Sequence, residues 1–353
     1  MAGKRLVHYD LVRIIAMFAV IVVHTSGTLY RATAPITSFN WQVSNAYSTS
    51  GKFSICIFMM VSGMLFLNPK KNITIKAMYR KNILRIASGF VFWSLAYALF
   101  GLWVKSMMNG FSYSYMHGFF IDLVTGNYHM WFCYMIIGIY MIVPFLRLIS
   151  SDKNLMKYFL LLSIIFVSTI PVLQQLPNAI SEPITIVVTQ LRLNFVLGWV
   201  GIFILGYYLS YCNISKKIEI VSYILGIISL IFTIVLNSLL SIRYNQSYEG
   251  LYELTNINIL LTAVAVFIFF RLHVSKVDFS ERFQKLTVIL SECTFGVYFI
   301  HVFIIIIFQQ FALAQKLYNA VIAVPVLSAG VFILSTIIIY YFRKIPFARD
   351  YLS

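Results

Sequence analysis

Apolar runs long enough to cross a lipid bilayer recur along almost the whole chain. A transmembrane helix needs about 20 mostly apolar residues, because each residue advances a helix by about 1.5 Å across a hydrocarbon core about 30 Å thick. We therefore predict an all-α integral membrane fold, a bundle of about ten transmembrane helices. The predicted helices occupy 9–30, 51–68, 84–105, 129–147, 158–174, 191–211, 218–238, 254–271, 286–308 and 321–342.

The composition excludes a soluble protein and a disordered one. Of the 353 residues, 60% are hydrophobic and 11% are charged, whereas a soluble domain carries about 25% charged residues. So few charges cannot cover the surface of a soluble globule of this size. Disordered segments are poor in aromatic residues, and here these reach 17%. We find neither an internal repeat nor a soluble segment, so residues 1–353 are predicted to form a single transmembrane domain.

Basic residues alternate between the two sides of the predicted bundle. With a cytoplasmic N-terminus, 20 of the 27 Lys and Arg residues fall on the cytoplasmic side and six on the outer side, with Arg13 inside the first helix. This asymmetry follows the positive-inside rule. Both termini are therefore predicted to be cytoplasmic. The net charge of +16 is assigned to the loops, and no nucleic-acid partner is predicted.

The first predicted helix contains three ionisable residues, Asp10, Arg13 and His24. Such groups are costly inside a membrane and need a partner or a water-filled cavity. Arg13 and His24 are eleven residues apart, so they share one helix face, with His24 about 16 Å further along the axis. Asp10 precedes Arg13 by three residues, which permits an intrahelical ion pair.

This spacing predicts one groove that runs from Arg13 at the cytoplasmic side to His24 nearer the outer leaflet. A buried neutral imidazole can act as a general base, and arginine suits a phosphate or pyrophosphate. The alternative is structural: an ion pair, and a histidine that is hydrogen-bonded within the bundle.

Two further segments allow both a structural and a functional interpretation. Ser62 and Gly63 either let helices pack closely or let the chain of a ligand approach the backbone. The basic loop that contains Arg80, Lys81 and Arg85 either contacts anionic membrane lipid or holds the phosphates of a nucleotide-bearing donor.

Candidate residues for binding a sugar lie near the outer side. His129 and Trp131 are either interfacial anchors or acceptor contacts, and His301 is either structural or lines the cavity with Tyr298. The segments 31–50, 106–128, 175–190 and 239–253 are predicted to be outer loops, which either bind a polar ligand or serve only as connections. The histidines are scattered and the cysteines unpaired in sequence, so no metal is predicted.

Several short motifs occur along the chain in a distinctive order. They are Arg5, Asp10, Arg13 and His24, then VSGMLF at 61–66, the basic loop, HMWF with Tyr134 and Pro144, Gly206–Tyr207, and the pattern that ends at His301. In this order the chain resembles the acyltransferase-3 family of bacterial integral-membrane acyltransferases over nearly its full length. The resemblance implies a multi-pass protein of the cytoplasmic (inner) membrane.

The resemblance also implies a reaction and a set of site residues. An acyl group, usually acetyl, would pass from cytosolic acyl-CoA to a hydroxyl of a cell-envelope glycan, so the protein would be an O-acetyltransferase. The catalytic residues would be His24, Asp10 and Arg13, with His24 as the base. The donor would contact Arg13, Arg80, Lys81, Arg85, Ser62 and Gly63, and the acceptor would contact His129, Trp131, Tyr298 and His301.

The chain departs from the family pattern in the basic loop. Relatives often carry Arg-x-x-Arg there, whereas Asn82 stands at the first of these positions before Arg85. Ala87 and Ser88 follow where a proline is common.

Two rival functions remain open at this stage. A glycolipid or metabolite transporter would release no free CoA, and such proteins often show repeat symmetry or broken helix pairs. A membrane sensor on the same scaffold would bind its ligand without turnover and would tolerate loss of His24.

Overall fold

Helices make up most of the described part of the chain. The computed structural model describes residues 6–71, 73–110, 112–191, 194–311 and 319–353. Within these ranges every regular element is a helix, as the sequence predicts. The α-helices are α1 (Val7–Ser26), α2 (Phe39–Gly51), α3 (Ser54–Phe66), α4 (Ile75–Ala77), α5 (Leu84–Asn109), α6 (Ser114–Thr125), α7 (Trp131–Ser151), α8 (Lys153–Ser163), α9 (Ile170–Leu173), α10 (Asn178–Leu191), α11 (Asn194–Tyr211), α12 (Lys216–Tyr244), α13 (Ile257–Leu272), α14 (Glu281–Gln310), α15 (Ala320–Phe342) and α16 (Pro346–Tyr351).

Nine helical stretches of the described residues are long and apolar enough to cross a bilayer, so the chain is a multi-pass membrane protein. They are Val7–Leu29, Phe39–Phe66, Ile75–Met108, Tyr115–Ser151, Lys153–Leu173, Lys216–Tyr244, Gly250–Lys276, Glu281–Gln310 and Ala320–Phe342.

The predicted helix at 191–211 differs from the other nine. Its residues 192–193 lie outside the described residues, and the backbone leaves helical geometry at Gly198 within α11. The remainder, Gly198–Tyr211, is a shorter apolar helix. The described residues thus contain nine spans rather than ten, and the cytoplasmic location of the termini stays a prediction.

Three of the predicted outer loops are largely helical. The segment 31–50 contains most of α2, 106–128 contains α6, and 175–190 contains most of α10. In α2 the polar residues Asn45, Ser48 and Thr49 are buried within the bundle, so their polarity does not mark a solvent-exposed loop. The α2 helix and α3 together form one apolar stretch of 28 residues.

Small residues set the close packing of α3 on α11. A Cβ atom on Gly63 would lie 1.7 Å from the backbone oxygen of Phe203, and one on Gly206 would lie 2.1 Å from that of Met60. Only glycine fits at such a distance. Of the two interpretations of Gly63, the structure therefore favours helix packing over contact with a ligand.

Polar side chains attach the long helix α12 to the bundle. Ser229, Thr233 and Asn237 recur every four residues and are buried on one helix face. The Asn237 side-chain amide donates to Asn45 Oδ1 of α2 at 2.8 Å, and the Asn258 amide of α13 donates to Thr233 Oγ1 at 2.9 Å. Hydrogen bonds of this kind join helices in lipid, where apolar burial alone gives little preference for a neighbouring helix.

Candidate active site within the membrane

A large cavity whose charged lining is mostly basic opens beside the first half of α1. We call it the basic cavity, and its volume is about 970 Å³. Its charged lining consists of six basic and two acidic side chains, and its apolar lining includes Phe58, Phe132 and Tyr298. The charged residues are Arg13, Arg80, Lys81, Arg85, Arg343, Arg349, Glu292 and Asp350.

Contacts between α1 and α14 fix one wall of the basic cavity. The guanidinium of Arg13 donates to Thr294 Oγ1 at 3.3 Å. One turn earlier, the Ser291 hydroxyl donates to the carboxylate of Asp10 at 2.6 Å, and Asp10 is buried. Asp10 therefore anchors α1 to α14, while Arg13 reaches the cavity. The intrahelical ion pair between Asp10 and Arg13 stays a prediction.

The segment after α15 supplies basic residues that the sequence analysis does not assign to the site. Arg343 lines the basic cavity. Its guanidinium donates to the carboxylate of Glu292 at 3.0 Å and to the backbone oxygen of Glu292 at 2.7 Å. Arg85 donates to the backbone oxygen of Ser353, which packs behind it. In the sequence, Arg343 and Arg349 stand directly after the last span, where positive-inside charge is expected anyway, so their position carries no separate signal.

An acidic side chain that lines the basic cavity, Asp350, is paired with the arginine next to it in the chain. Arg349 Nε donates to Asp350 Oδ1 at 2.9 Å, and this hydrogen bond lowers the pKa of the Asp350 carboxyl. Arg349 and Asp350 therefore both stay charged near neutral pH, and the basic residues of the cavity lining still outnumber the acidic ones.

Ser62 and Gly63 are adjacent in α3 but differ in their surroundings. Ser62 lines the basic cavity, as does Asn82, the residue in place of the family arginine. Gly63 packs against α11 instead. The exposed side chains of Arg80 and Lys81 lie at the mouth of the cavity.

Three histidines from distant parts of the chain meet inside the bundle. His24 comes from α1, His129 from the turn before α7, and His301 from α14. The centroid of the His301 ring lies 5.2 Å from that of His24 and 5.0 Å from that of His129. His129 and His301 are buried, with 3% and 0% of their surface exposed. The sequence places His129 and His301 near the acceptor but does not predict that they meet His24.

Hydrogen bonds orient two of these rings. His301 Nδ1 donates to the backbone oxygen of Tyr298 at 2.7 Å, and His129 Nδ1 donates to Asn127 Oδ1 at 3.0 Å. In each ring Nε2 then keeps its lone pair. Both Nε2 atoms are buried and have no hydrogen-bonding partner among the described residues. They are available to accept a proton or a hydrogen bond next to His24.

His24 itself is oriented by a residue that the sequence analysis misses. The hydroxyl of Tyr128 lies 3.2 Å from His24 Nδ1. If Nδ1 donates to this oxygen, His24 Nε2 carries the lone pair that a general base requires. The only sequence signal for Tyr128 is its position next to His129, which is equally typical of an interfacial aromatic residue.

A second, smaller cavity lies on the other side of the histidines. Its volume is about 460 Å³, and His24 and Tyr128 are part of its lining. The two cavities share no lining residue. The predicted single groove from Arg13 to His24 is therefore divided in this structure. We call the residues between the cavities the dividing wall; they are Phe132, Tyr298, His129 and His301.

The remaining predicted acceptor residue lies apart from the histidines. Trp131 is 40% exposed, packs beside Trp199 with ring centroids 5.7 Å apart, and lines neither cavity. Tyr298, by contrast, lines the basic cavity and donates its hydroxyl hydrogen to the backbone oxygen of His129 at 2.5 Å. The structure thus brings Tyr298, His129 and His301 to His24, but not Trp131.

The described residues contain no group of three or more His, Cys, Asp or Glu side chains placed to hold a metal ion. The three histidines instead suit proton transfer, because each presents a ring nitrogen within the same buried space.

Comparison with known proteins agrees with the resemblance seen in the sequence. The acyltransferase-3 family model, described as an acyltransferase domain, matches residues 7–342, nearly the whole chain. Searches of curated proteins and of solved structures gave no match.

Proposed function

The chain belongs to the acyltransferase-3 family of membrane acyltransferases, and from this premise we propose that it moves an acetyl group from cytosolic acetyl-CoA to a hydroxyl of a cell-envelope glycan. One observation carries the proposal: a basic cavity and a histidine that can act as a base lie on opposite sides of the dividing wall.

The basic cavity suits a CoA thioester. The phosphates of CoA would be held by Arg13, Arg80, Lys81, Arg85, Arg343 and Arg349, which line the cavity. Guanidinium groups bind phosphate through paired, charge-assisted hydrogen bonds. A volume of about 970 Å³ lies at the upper end of the range for small-molecule sites. The thin pantetheine arm would extend toward Phe58, Phe132 and Tyr298.

His24 would act on the acceptor hydroxyl. Its Nε2 takes the hydroxyl proton as the hydroxyl oxygen attacks the thioester carbonyl carbon. The tetrahedral intermediate collapses, the carbon–sulfur bond breaks, and the proton passes to the leaving CoA sulfur, so the products are an ester and free CoA. Asp10 would serve as a positioning residue that holds α1 against Ser291 of α14.

The divided groove adds one requirement. The thioester must pass Tyr298 before its carbonyl reaches His24, because Tyr298 lines the basic cavity and His24 lines the second one. We propose that the dividing wall opens when both substrates are bound. The acceptor would then meet the donor next to His129 and His301.

Surface glycans from the native host test the proposal. A deletion strain would be complemented with wild type, with His24→Ala or with His117→Ala, and its glycans compared by mass spectrometry. His117 is an exposed residue of α6 that lines neither cavity, so its variant is a matched control. We expect an acetyl-sized mass gain with wild type and His117→Ala and none with His24→Ala.

The same strains distinguish acyl transfer from the two rival functions, transport and sensing. Identical glycans in all strains, with each protein present in the membrane, would contradict acyl transfer and favour transport or sensing. The purified protein would then release no free CoA from acetyl-CoA when glycan is added. Normal activity of His24→Ala would instead refute only the assignment of the base.

A further inference from the structure

We infer that the second cavity is the acceptor site and that it selects an uncharged, polyhydroxylated sugar over an anionic one. This inference rests on the proposed function, because it takes His24 as the group that meets the acceptor. The polar side chains that line the cavity are those of His24, Thr28, Arg31, Tyr128, Ser247 and Glu249. Every one of these side chains can exchange hydrogen bonds with a sugar hydroxyl.

The charges of the second cavity are already matched to each other. Arg31 of the turn after α1 forms an ion pair with Glu249, and the Ser247 hydroxyl donates to the same Glu249 oxygen at 3.1 Å. The Arg31 side chain is 12% exposed and its guanidinium lies 4.8 Å from the centroid of the Tyr252 ring. Arg31 is thus held in place, whereas Glu249 is 57% exposed and faces the space a ligand would occupy.

The next basic residue, Lys52, acts electrostatically on Glu249 and His24, and its charge is offset by that of Glu253. Lys52 packs over the same Tyr252 ring, 4.5 Å from its centroid, and is not part of the lining. The lining therefore contains one cation and one anion, besides His24. The basic cavity differs sharply, since six basic side chains there face two acidic ones.

This balance favours a neutral ligand. An anionic sugar would have to compete with Glu249 for Arg31, and its charge would be repelled by the nearby carboxylate. A neutral sugar instead donates hydroxyl hydrogens to the carboxylate and accepts from the guanidinium while the ion pair stays intact. The cavity volume of about 460 Å³ falls within the range of small-molecule sites.

Replacement of Glu249 by glutamine would relax the selectivity, so that the site binds anionic sugars as well as neutral ones. The Arg31 charge would then lack a partner and become available to a carboxylate. Because hydrogen bonds to charged groups are stronger than neutral ones, we expect affinity for an anionic sugar to rise about tenfold or more. Affinity for a neutral sugar should change by less than about threefold, since glutamine keeps an acceptor oxygen in the same place.

The test uses saturation-transfer NMR on the full chain in lipid nanodiscs without any donor. Maltotriose serves as the neutral probe and trigalacturonic acid as the anionic one. Wild type should bind maltotriose and not the acid, whereas Glu249→Gln should bind both. Glu281→Gln is the matched control, because Glu281 is exposed at the start of α14 and lines neither cavity.

Three results would overturn the inference: wild type binds the acid as tightly as maltotriose, wild type binds neither probe, or Glu249→Gln gains no affinity for the acid. Circular dichroism of each variant shows that it is folded. Since no donor is present, these results do not depend on turnover. Failure of acyl transfer with intact sugar selectivity would refute the proposed function and leave the sugar site in place.

Discussion

Replacement of Gly63 by alanine separates a packing role from a donor-binding role. The added Cβ would lie 1.7 Å from the backbone oxygen of Phe203, whereas ordinary contact begins at 3.4 Å. The difference requires α3 and α11 to separate by about 1.7 Å along that line. Neither atom belongs to a flexible side chain, so the helices themselves must move.

The cost follows from overpacking. Forcing an extra methyl group into a well-packed contact destabilises proteins by about 1–3 kcal/mol, and occasionally more. Here the obstruction is backbone on both sides, so we expect a loss of about 3 kcal/mol or more. Helix propensity opposes this by only about 1 kcal/mol, the usual gain from glycine to alanine inside a helix.

Thermal denaturation of the purified protein in detergent measures the effect. Gly138→Ala is the matched control, because Gly138 lies inside α7 and a Cβ there would meet nothing within 4 Å. We expect the midpoint to fall by several degrees for Gly63→Ala and to stay level or rise for Gly138→Ala. A Gly63→Ala protein as stable as wild type, but with a raised KM for acetyl-CoA, would refute the packing argument and return Gly63 to the donor site.

Three further predictions concern the site and the bundle. Arg343→Gln should raise the KM for acetyl-CoA about tenfold, and more than Arg85→Gln does, because it also removes the ion pair with Glu292 that holds this part of the cavity lining. KM values equal to that of wild type in steady-state assays would exclude both residues from the donor site. Tyr128→Phe should lower kcat about tenfold or more, because the orienting hydrogen bond to His24 is lost. The affinity for the donor, measured by titration, should not change. An unaltered kcat would show that Tyr128 does not orient the base. Asn237→Leu should cost about 1 kcal/mol, since it removes a buried hydrogen bond to Asn45 Oδ1, which keeps its hydrogen bond from the Tyr252 hydroxyl. A denaturation midpoint equal to that of wild type would contradict the role of this polar contact.

The membrane architecture follows from the sequence because hydrophobic length is a local property. Any run of about 20 apolar residues must be helical in lipid, and nine of the ten predicted runs appear as spans in the described residues. The exception depends on Gly198, where the backbone leaves helical geometry. Family membership is confirmed too, because the order of the motifs is a property of the sequence and does not depend on how the helices pack.

Properties that depend on how helices meet could not be predicted in this way. The polar residues of α2 indicate a loop until Asn237 of α12 is found beside Asn45. The sequence does contain one sign of this contact: polar residues recur every four positions in α12, and the structure shows that they are buried. His24 and His301 are 277 positions apart, and their contact depends on the packing of α1 against α14. Helical periodicity shows which residues share a face of one helix, but it does not show which other helix that face contacts.

The dividing wall also bears on how the membrane stays electrically sealed. An open passage from one cavity to the other would conduct protons and small ions, and each unit charge would gain about 2.3 kcal/mol for every 100 mV of membrane potential. Phe132 and Tyr298 close that passage with aromatic rings whose centroids lie 5.9 Å apart. Under the proposed function, such a wall would let an acyl group pass from one side of the bilayer to the other without dissipating the ion gradients across it.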